Sequence, residues 1–450
     1  MKTIFKITLA SLLLTIATSC HIDEQINPNS SSLNSILEGA TKTDLNNLVT
    51  GSLAAMRTNY NTYVIDMGTI ARELYLFDAE PRNTTDLIGT KPAGLDNNTY
   101  YTTNPWTRRY QAIKDLNILL QALPNADVSV AEAEKKGYRA FANTMKAHQL
   151  LMVLNMQDEN GIRVDVADPE NLGPIVTKPE ALAAIATLLN TAYDELTGAT
   201  FRFILTSGFT GFNTPETFGQ FNRALAARVA LYRGLYAEAL SDLDNSFFDL
   251  DGDLSTGVKM IYSTAGPDVL NLLYKTPDQS GDQIIVTNSF IADAEAGDLR
   301  VTRKTAVRKS TTGKSGLNGT HETRLYTSNI SPIDIIRNEE LILIYAECNI
   351  QTNHLAEGVA ALDIIRQSAG LAPLATVKPA IIADKDALIN EMLHQRRYSF
   401  WGEAQRAIDL RRYGRLNATY VTIDPAKDTD GEPIPQVIFT KFPLPATEQI

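Results

Sequence analysis

The sequence predicts a mainly α protein of antiparallel helix pairs, with large irregular insertions and a minor β component. Two observations carry this. Apolar residues recur at three- and four-residue spacing in several stretches, each long enough to be a helix with one buried face. Between them run polar and aromatic segments at 77–105, 197–217 and 249–332, far longer than the roughly two to eight residues that join helices in a bundle. Within the insertions, short runs such as DQIIVTNSF and RLYTS have the β-branched and aromatic content of strands.

The chain opens MKTIFKITLASLLLTIATSCHIDEQ. Lys2 and Lys6 precede an apolar run from Ile7 to Ala17, and small residues lead to Cys20. This is the layout of a secretory signal, and it is shorter than the about 20 apolar residues of a membrane span. A signal ending in small residues and a cysteine resembles the lipobox of bacterial lipoproteins. That implies cleavage of residues 1–19 and a diacylglycerol on the Cys20 thiol, against the alternative of an ordinary cleaved signal with a chance cysteine. The acidic pair Asp23 and Glu24 resembles the surface-export signal of Bacteroidetes lipoproteins. Residues 20–35 are too polar to pack and read as a flexible tether. Residues 36–450 are then expected to form one helical domain.

The helical stretches follow in order. TDLNNLVTGSLAAMRTNY sets Leu45, Leu48, Val49, Leu53 and Met56 on one face, and WTRRYQAIKDLNILLQALPN sets Tyr110, Ile113, Leu116, Leu120 and Leu123, ending at Pro124. EKKGYRAFANTMKAHQLLMVLNM is a longer helix. In FGQFNRALAARVALYRGLYAEALSDLDNSF, Ala224, Ala227 and Leu231 precede a turn at Gly234, and Tyr236 and Ala239 follow it. Small residues at close approach, with Tyr and Leu filling the gaps, are how tetratricopeptide helix pairs nest. NEELILIYAECNIQTNHLAEGVAALDIIRQSAG repeats the plan with Leu341, Ile344, Tyr345 and Cys348, then Val359, Leu362 and Ile365.

Composition removes several function classes. The 450 residues carry 41 Lys+Arg against 52 Asp+Glu, a net charge of −11, which argues against nucleic acid or an anionic membrane surface as the main ligand. Of the two cysteines, Cys348 sits in an apolar helical pattern as a small buried thiol, so an acylated Cys20 leaves no structural disulfide. GKS at 313–315 is the tail of a phosphate-binding loop, but Arg308 stands where that loop needs its first glycine, and the segment reads as a flexible basic loop. Asp249, Asp251 and Asp253 suggest a calcium loop, yet Leu254 and Met260 occupy its Gly and Glu positions. An Asx turn is favoured there, with calcium as the alternative. The five histidines are scattered with no HExxH, and no GxSxG is present. No cofactor and no enzyme are implied. A carboxylate pair such as Asp78 with Glu80, or Asp249 with Asp251, leaves a glycan hydrolase as the alternative.

The stretch INEMLHQRRYSFWGEAQRAIDLRRYGRL, taken as one helix, puts Met392, Arg396, Phe400, Glu403, Ala407 and Leu410 on one face. Charges drawn toward a core must be paired, so Arg396, Glu403, Arg406 and Asp409 are expected to form a structural ion network, with a ligand clamp as the alternative. RRYSFWGEAQRAIDLRRYG resembles the "ERR.EL..EG.R..DL.R" signature of SusD/RagB family lipoproteins, with Gln395 and Ser399 for acids, Ala404 for Gly and Ala407 for an aromatic. RNEELILIYAE, YRAFANTMKAHQLLMVLNMQ and FPLPATEQI resemble three further elements of that family.

The resemblance implies a SusD-like fold and a cell-surface, lipid-anchored outer-membrane protein. It would capture an oligo- or polysaccharide and act as the lid of a SusC-type TonB-dependent transporter, with a peptide ligand as the alternative. Sugars are held by aromatic rings under their C–H faces plus short polar side chains. Tyr100, Tyr101 and Trp106 with Asp96, Asn97 and Asn98 are therefore the first-choice ligand residues, and Tyr60, Tyr63 and Arg82 the second. For Trp106 the alternative is a staple at the start of the following helix. Trp401 is expected in the core.

Overall fold

The computed structural model describes residues 32–266 and 268–448. The signal, Cys20 and most of the tether lie outside the described residues.

The helical frame is a row in which each helix packs on the next. It begins with α1 (Leu33–Gly39), α2 (Lys42–Ala55) and α3 (Tyr60–Ile70), and continues with α4 (Tyr100–Ala122), α5 (Glu132–Gln157), α6 (Lys178–Glu195), α7 (Pro215–Tyr232) and α8 (Tyr236–Asp244). It closes with α9 (Asn338–Gln351), α10 (Leu355–Ser368), α11 (Lys385–Ser399) and α12 (Arg406–Arg412). Contacts run α2–α4–α5–α6–α7–α8–α9–α10, with α11 also on α9. Local chemistry fixes the ends. Thr41 and Asp44 close a reciprocal capping box on α2, and Thr214 caps α7 ahead of Pro215. Gly234, at φ +72°, makes the turn between α7 and α8. At the α9–α10 crossing, Gly358 brings the backbones so close that a Cβ there would meet Ile350 Cγ1 at 2.5 Å.

The expected mainly α architecture of helix pairs with long insertions is present. Two boundaries move and one helix is added. Helix α1 begins at Leu33, with Ser32 as its cap, so the last residues of the 20–35 tether are helical. Helix α4 starts at Tyr100, six residues before the expected start, and carries Pro105 inside it. Helix α6, absent from the stretches read above, packs between α5 and α7.

The insertions supply the β component: β1 (Leu74–Phe77), β2 (Gly257–Met260), β3 (Gln283–Val286), β4 (Thr305–Lys314), β5 (Leu317–Thr323) and β6 (Ile333–Arg337). One antiparallel sheet has the order β1–β3–β5–β4, with Tyr75 opposite Ile285 and Ile285 opposite Glu322, and β2 pairs with β6. DQIIVTNSF contributes β3 as expected, whereas RLYTS falls beyond the end of β5 and forms no strand. The GKS segment is not a flexible loop. Ser315 (φ +50°) and Gly316 (φ +79°) form a two-residue turn between paired Lys314 and Leu317, the positive-φ pair that a tight hairpin requires.

Candidate functional site

Helix α4 lines a large concave surface. Its residues Trp106, Tyr110, Lys114, Asn117 and Gln121 recur every three or four positions, so they line one face. They form one wall of a groove of about 780 Å³, with residues 163–172 opposite, Leu33 and Leu37 of α1 at one side, and Thr447 and Glu448 at the floor. A volume of this size is within the range of ligand sites. Trp106 lies against Tyr110 with ring centroids 4.8 Å apart and is 7% exposed. Leu172, on the far wall, is 45% exposed.

Much of the polar chemistry in the groove holds the walls together. Tyr110 Oη donates to the Arg163 carbonyl (2.7 Å), Asn117 Nδ2 to the Val166 carbonyl (3.0 Å) and Gln121 Nε2 to the Ala167 carbonyl (2.9 Å). Arg163 Nε bonds Glu448 Oε2 at 2.6 Å. What remains facing the ligand space is an apolar and aromatic lining with Lys114 and Thr107 exposed at its edge, which suits a ligand with apolar C–H faces ringed by hydroxyls.

The residues picked from sequence fall in three places. Trp106 lines the groove; it lies in the seventh position of α4, not at its start, so the staple reading is replaced by packing on Tyr110. Tyr100, Tyr101, Asp96, Asn97, Asn98 and Arg82 gather elsewhere, because six residues of helix turn Tyr100 away from Trp106. Tyr101 is fully buried, its Oη donating to Asp86 and accepting from the Asp96 N–H (2.8 Å), so it offers no ring to a ligand. Tyr100 is half-buried, hydrogen-bonded to Asn83 and covered by the Arg82 guanidinium at 5.1 Å. Arg82 is bound by Glu80 (2.7 and 2.8 Å) and Thr99 (2.8 Å). Asp96 caps Asn98 N, and the carbonyl of Asn97 receives Ala446 N. Tyr60 and Tyr63 are buried together, with rings 5.9 Å apart, beside His148 and Arg228. Burial keeps four of the nine, Tyr60, Tyr63, Tyr101 and in large part Trp106, from standing as open platforms.

Tyr110, Lys114, Asn117, Gln121 and the 163–172 wall were missed. The stripe 106–110–114–117–121 was readable, but Tyr110 had been assigned to the core face. The facing loop has no local signal at all.

The carboxylate pairs do not form acid–base couples. The Arg82 guanidinium, with hydrogen bonds to Glu80, holds that carboxyl down at about 2, so it stays charged, and Asp78 accepts both contacts from Asn83 Nδ2 (2.9 Å). Asp249 Oδ1 caps Asp251 N (2.9 Å) and Asp253 Oδ1 caps Ser255 N (2.8 Å). These are Asx turns, and among the described residues no group of three His, Cys, Asp or Glu side chains converges for a metal.

A family model, that of the SusD family, matches residues 262–439. The fold agrees over the greater part of the chain: a SusD superfamily protein from Bacteroides vulgatus superposes with a TM-score of 0.66 at 16% identity, covering 90% of this chain and 96% of that one. Residues 262–439 match the SusD family, and the fold of the chain is SusD-like. Surface glycan-binding protein A from Bacteroides thetaiotaomicron, solved in complex with laminarihexaose, gives 0.67 at 15% identity, covering 91% and 97%. Surface glycan-binding protein A from Bacteroides uniformis gives 0.66 at 17%, covering 90% and 95%. At these identities the likeness is one of fold. None of the curated proteins matches in sequence.

Within the SusD-like region the signature stretch is not one helix. Helix α11 ends at Ser399, and residues 400–405 turn through positive φ at Gly402 (+78°) and Ala404 (+63°) before α12. The expected four-membered ion network therefore splits. Arg396 pairs with Asp409 (2.7 Å), which also meets Arg412 (3.1 Å), itself bound to Glu347 (2.5 Å). Glu403 pairs with Arg337 (2.5 Å), and Arg406 turns to Glu73, no closer than 3.8 Å. The break in the helix rotates the later residues out of the register that a continuous helix would impose. Trp401 is in the core as expected, with Nε1 donating to the Glu73 carbonyl at 2.8 Å. Among the described residues no helix is long and apolar enough to cross a membrane.

Proposed function

We propose that this chain is a cell-surface binding lipoprotein that captures an oligo- or polysaccharide and delivers it, as a lid, to a SusC-type TonB-dependent transporter. The observation that carries the reading is the groove along α4, an apolar and aromatic trough about 780 Å³ in volume, in a fold shared with surface glycan-binding proteins. Trp106 and Tyr110 are the aromatic residues of its α4 wall. No bond is made or broken in this role. Cleavage after residue 19, acylation of Cys20 and a short tether would anchor the domain from residue 36 onward to the outer face of the outer membrane.

Isothermal titration of the mature chain, residues 20–450, against a polysaccharide set and a peptide pool tests the reading. Saturable binding of one glycan, abolished by Leu172→Arg, is the expected result. Binding of peptides alone overturns the ligand class, and release of reducing sugar from any glycan overturns the non-catalytic role.

A further inference from the structure

A second pocket, of about 230 Å³, opens where α11 and α12 meet the segment after α12, and it shares no lining residue with the groove. Arg397, Arg406 and Arg415 all line it, with His394, Asn390 and Tyr420.

The three guanidiniums are unequally satisfied. Arg397 is fully engaged, with Nε on Glu73 Oε1 (2.8 Å), Nη1 on Asp293 Oδ2 (2.8 Å) and Nη2 on Ser289 Oγ (3.1 Å). Arg415 makes one hydrogen bond, to Asn390 Oδ1 (2.7 Å), and lies over the Tyr420 ring at 5.3 Å. Arg406 makes no hydrogen bond to any described residue, its nearest carboxylate oxygen being Glu73 Oε1 at 3.8 Å, although its side chain is only 17% exposed.

A nearly buried guanidinium with five unspent donors is costly unless an acceptor arrives. Asp293 lines the pocket and Glu73 bonds Arg397 beside it, while Asp409 and Asp424 also act on Arg406 and Arg397. His394 adds no charge at neutral pH, because burial pushes its imidazole down to about 4. At the rim stands Tyr420, 56% exposed, an aromatic face with nothing on its outer side. Arg406 is the Arg of the family signature, but Arg415 and Tyr420 lie beyond it, so the outer half of the pocket is not part of that motif.

We infer that this pocket is a subsite for an acidic sugar, taking the carboxylate of a uronic acid on Arg406 and Arg415 and the sugar ring against Tyr420. A planar guanidinium fork matches a carboxylate in bidentate fashion, Arg406 has its donors unspent and Arg415 spends one on Asn390, and the volume admits about one sugar residue. The inference rests on the glycan reading for the ring and on Arg406 for the anion.

The test is titration of the mature chain with trigalacturonate, with its neutral galactose counterpart and with acetate. Trigalacturonate is expected to bind saturably and at least about ten-fold more tightly than the neutral trimer. Arg406→Gln and Arg406→Lys, with unchanged melting, each weaken it by about ten-fold or more, since the lysine keeps the charge but loses the fork. Tyr420→Ala weakens it roughly five-fold. Should Arg406→Gln fail to fold, Arg415→Gln at the rim gives the same reading. Equal affinity of wild type and these variants overturns the subsite, as does absence of uronate binding by a folded chain. Acetate binding as tightly as trigalacturonate, with Tyr420→Ala silent, also overturns it by leaving a bare anion hole. A neutral glycan that still binds and still responds to Leu172→Arg shows that the groove reading survives such a failure.

Discussion

Asp409→Asn tests the buried ion pair that closes α12 onto α11. Arg396 and Asp409 are 1% and 2% exposed. Burial works against the Asp409 carboxylate, but Arg396 and Arg412 outweigh it and hold the carboxyl below its ordinary value. Arg396 has little else: Nη1 and Nη2 are buried without acceptors, and the remaining neighbour is the Phe400 ring at 5.0 Å. The asparagine keeps the shape and removes the charge, leaving a guanidinium in the core with only a π face and an amide oxygen. Removing one partner of a buried pair costs about 3–5 kcal/mol, whereas replacing both by apolar groups is often close to neutral. The Arg396→Met, Asp409→Leu double variant should therefore lie within about 1 kcal/mol of wild type, the residue of the loss being the Arg412 contact, which Glu347 still holds. Urea unfolding followed by tryptophan fluorescence measures all three proteins, with the slope checked for constancy. An Asp409→Asn protein within 1 kcal/mol of wild type refutes the reasoning. A double variant as unstable as the single one shows that packing, not charge, sets the cost.

Ala404, at φ +63° where the family signature has Gly, should accept Gly with no loss of stability and lose about 2 kcal/mol as Val; equal melting of the two variants contradicts this. His148 is held neutral, pushed down to about 3 by burial, with Arg228 and Arg109 adding to it. An unfolded histidine titrates near about 6.5, so the unfolded chain takes up a proton on acidification that the folded chain refuses, and stability falls from about pH 6.5 toward pH 3. His148→Met removes that loss, worth about 2 kcal/mol at pH 5, and urea midpoints at pH 7.5 and 5 for both proteins measure it. Trp106→Ala should destabilise the fold by about 3–5 kcal/mol because the ring is packed, whereas Leu172→Arg should leave melting unchanged and block the groove; the reverse order of melting effects would mean that Trp106 is a surface residue.

What the sequence disclosed follows the range of each interaction. Helix faces and the Gly234 turn are local, set by spacing and by one residue's backbone freedom, and they were legible. The helix break between Ser399 and Arg406 was not, because Ala404 occupies its left-handed position and the three- and four-residue spacing runs on across it. Extending that spacing through the turn merged three ion clusters into one network, although Glu73, Arg337 and Glu347 come from segments far away in the chain. The candidate ligand residues divide in the same manner. Trp106 was found because aromatic and polar residues crowd around it, but crowding in sequence also selected Tyr100 and Tyr101, which α4 carries to another face. The opposite wall at 163–172 is joined to α4 only through side-chain bonds to backbone carbonyls, and a carbonyl has no residue identity to read. The Arg406 pocket is the complementary case: Arg397 and Arg406 stood in the recognised stretch, but Tyr420 and Asp293 lie outside it, and a hydrogen bond that Arg406 does not make is exposed only by the packed structure.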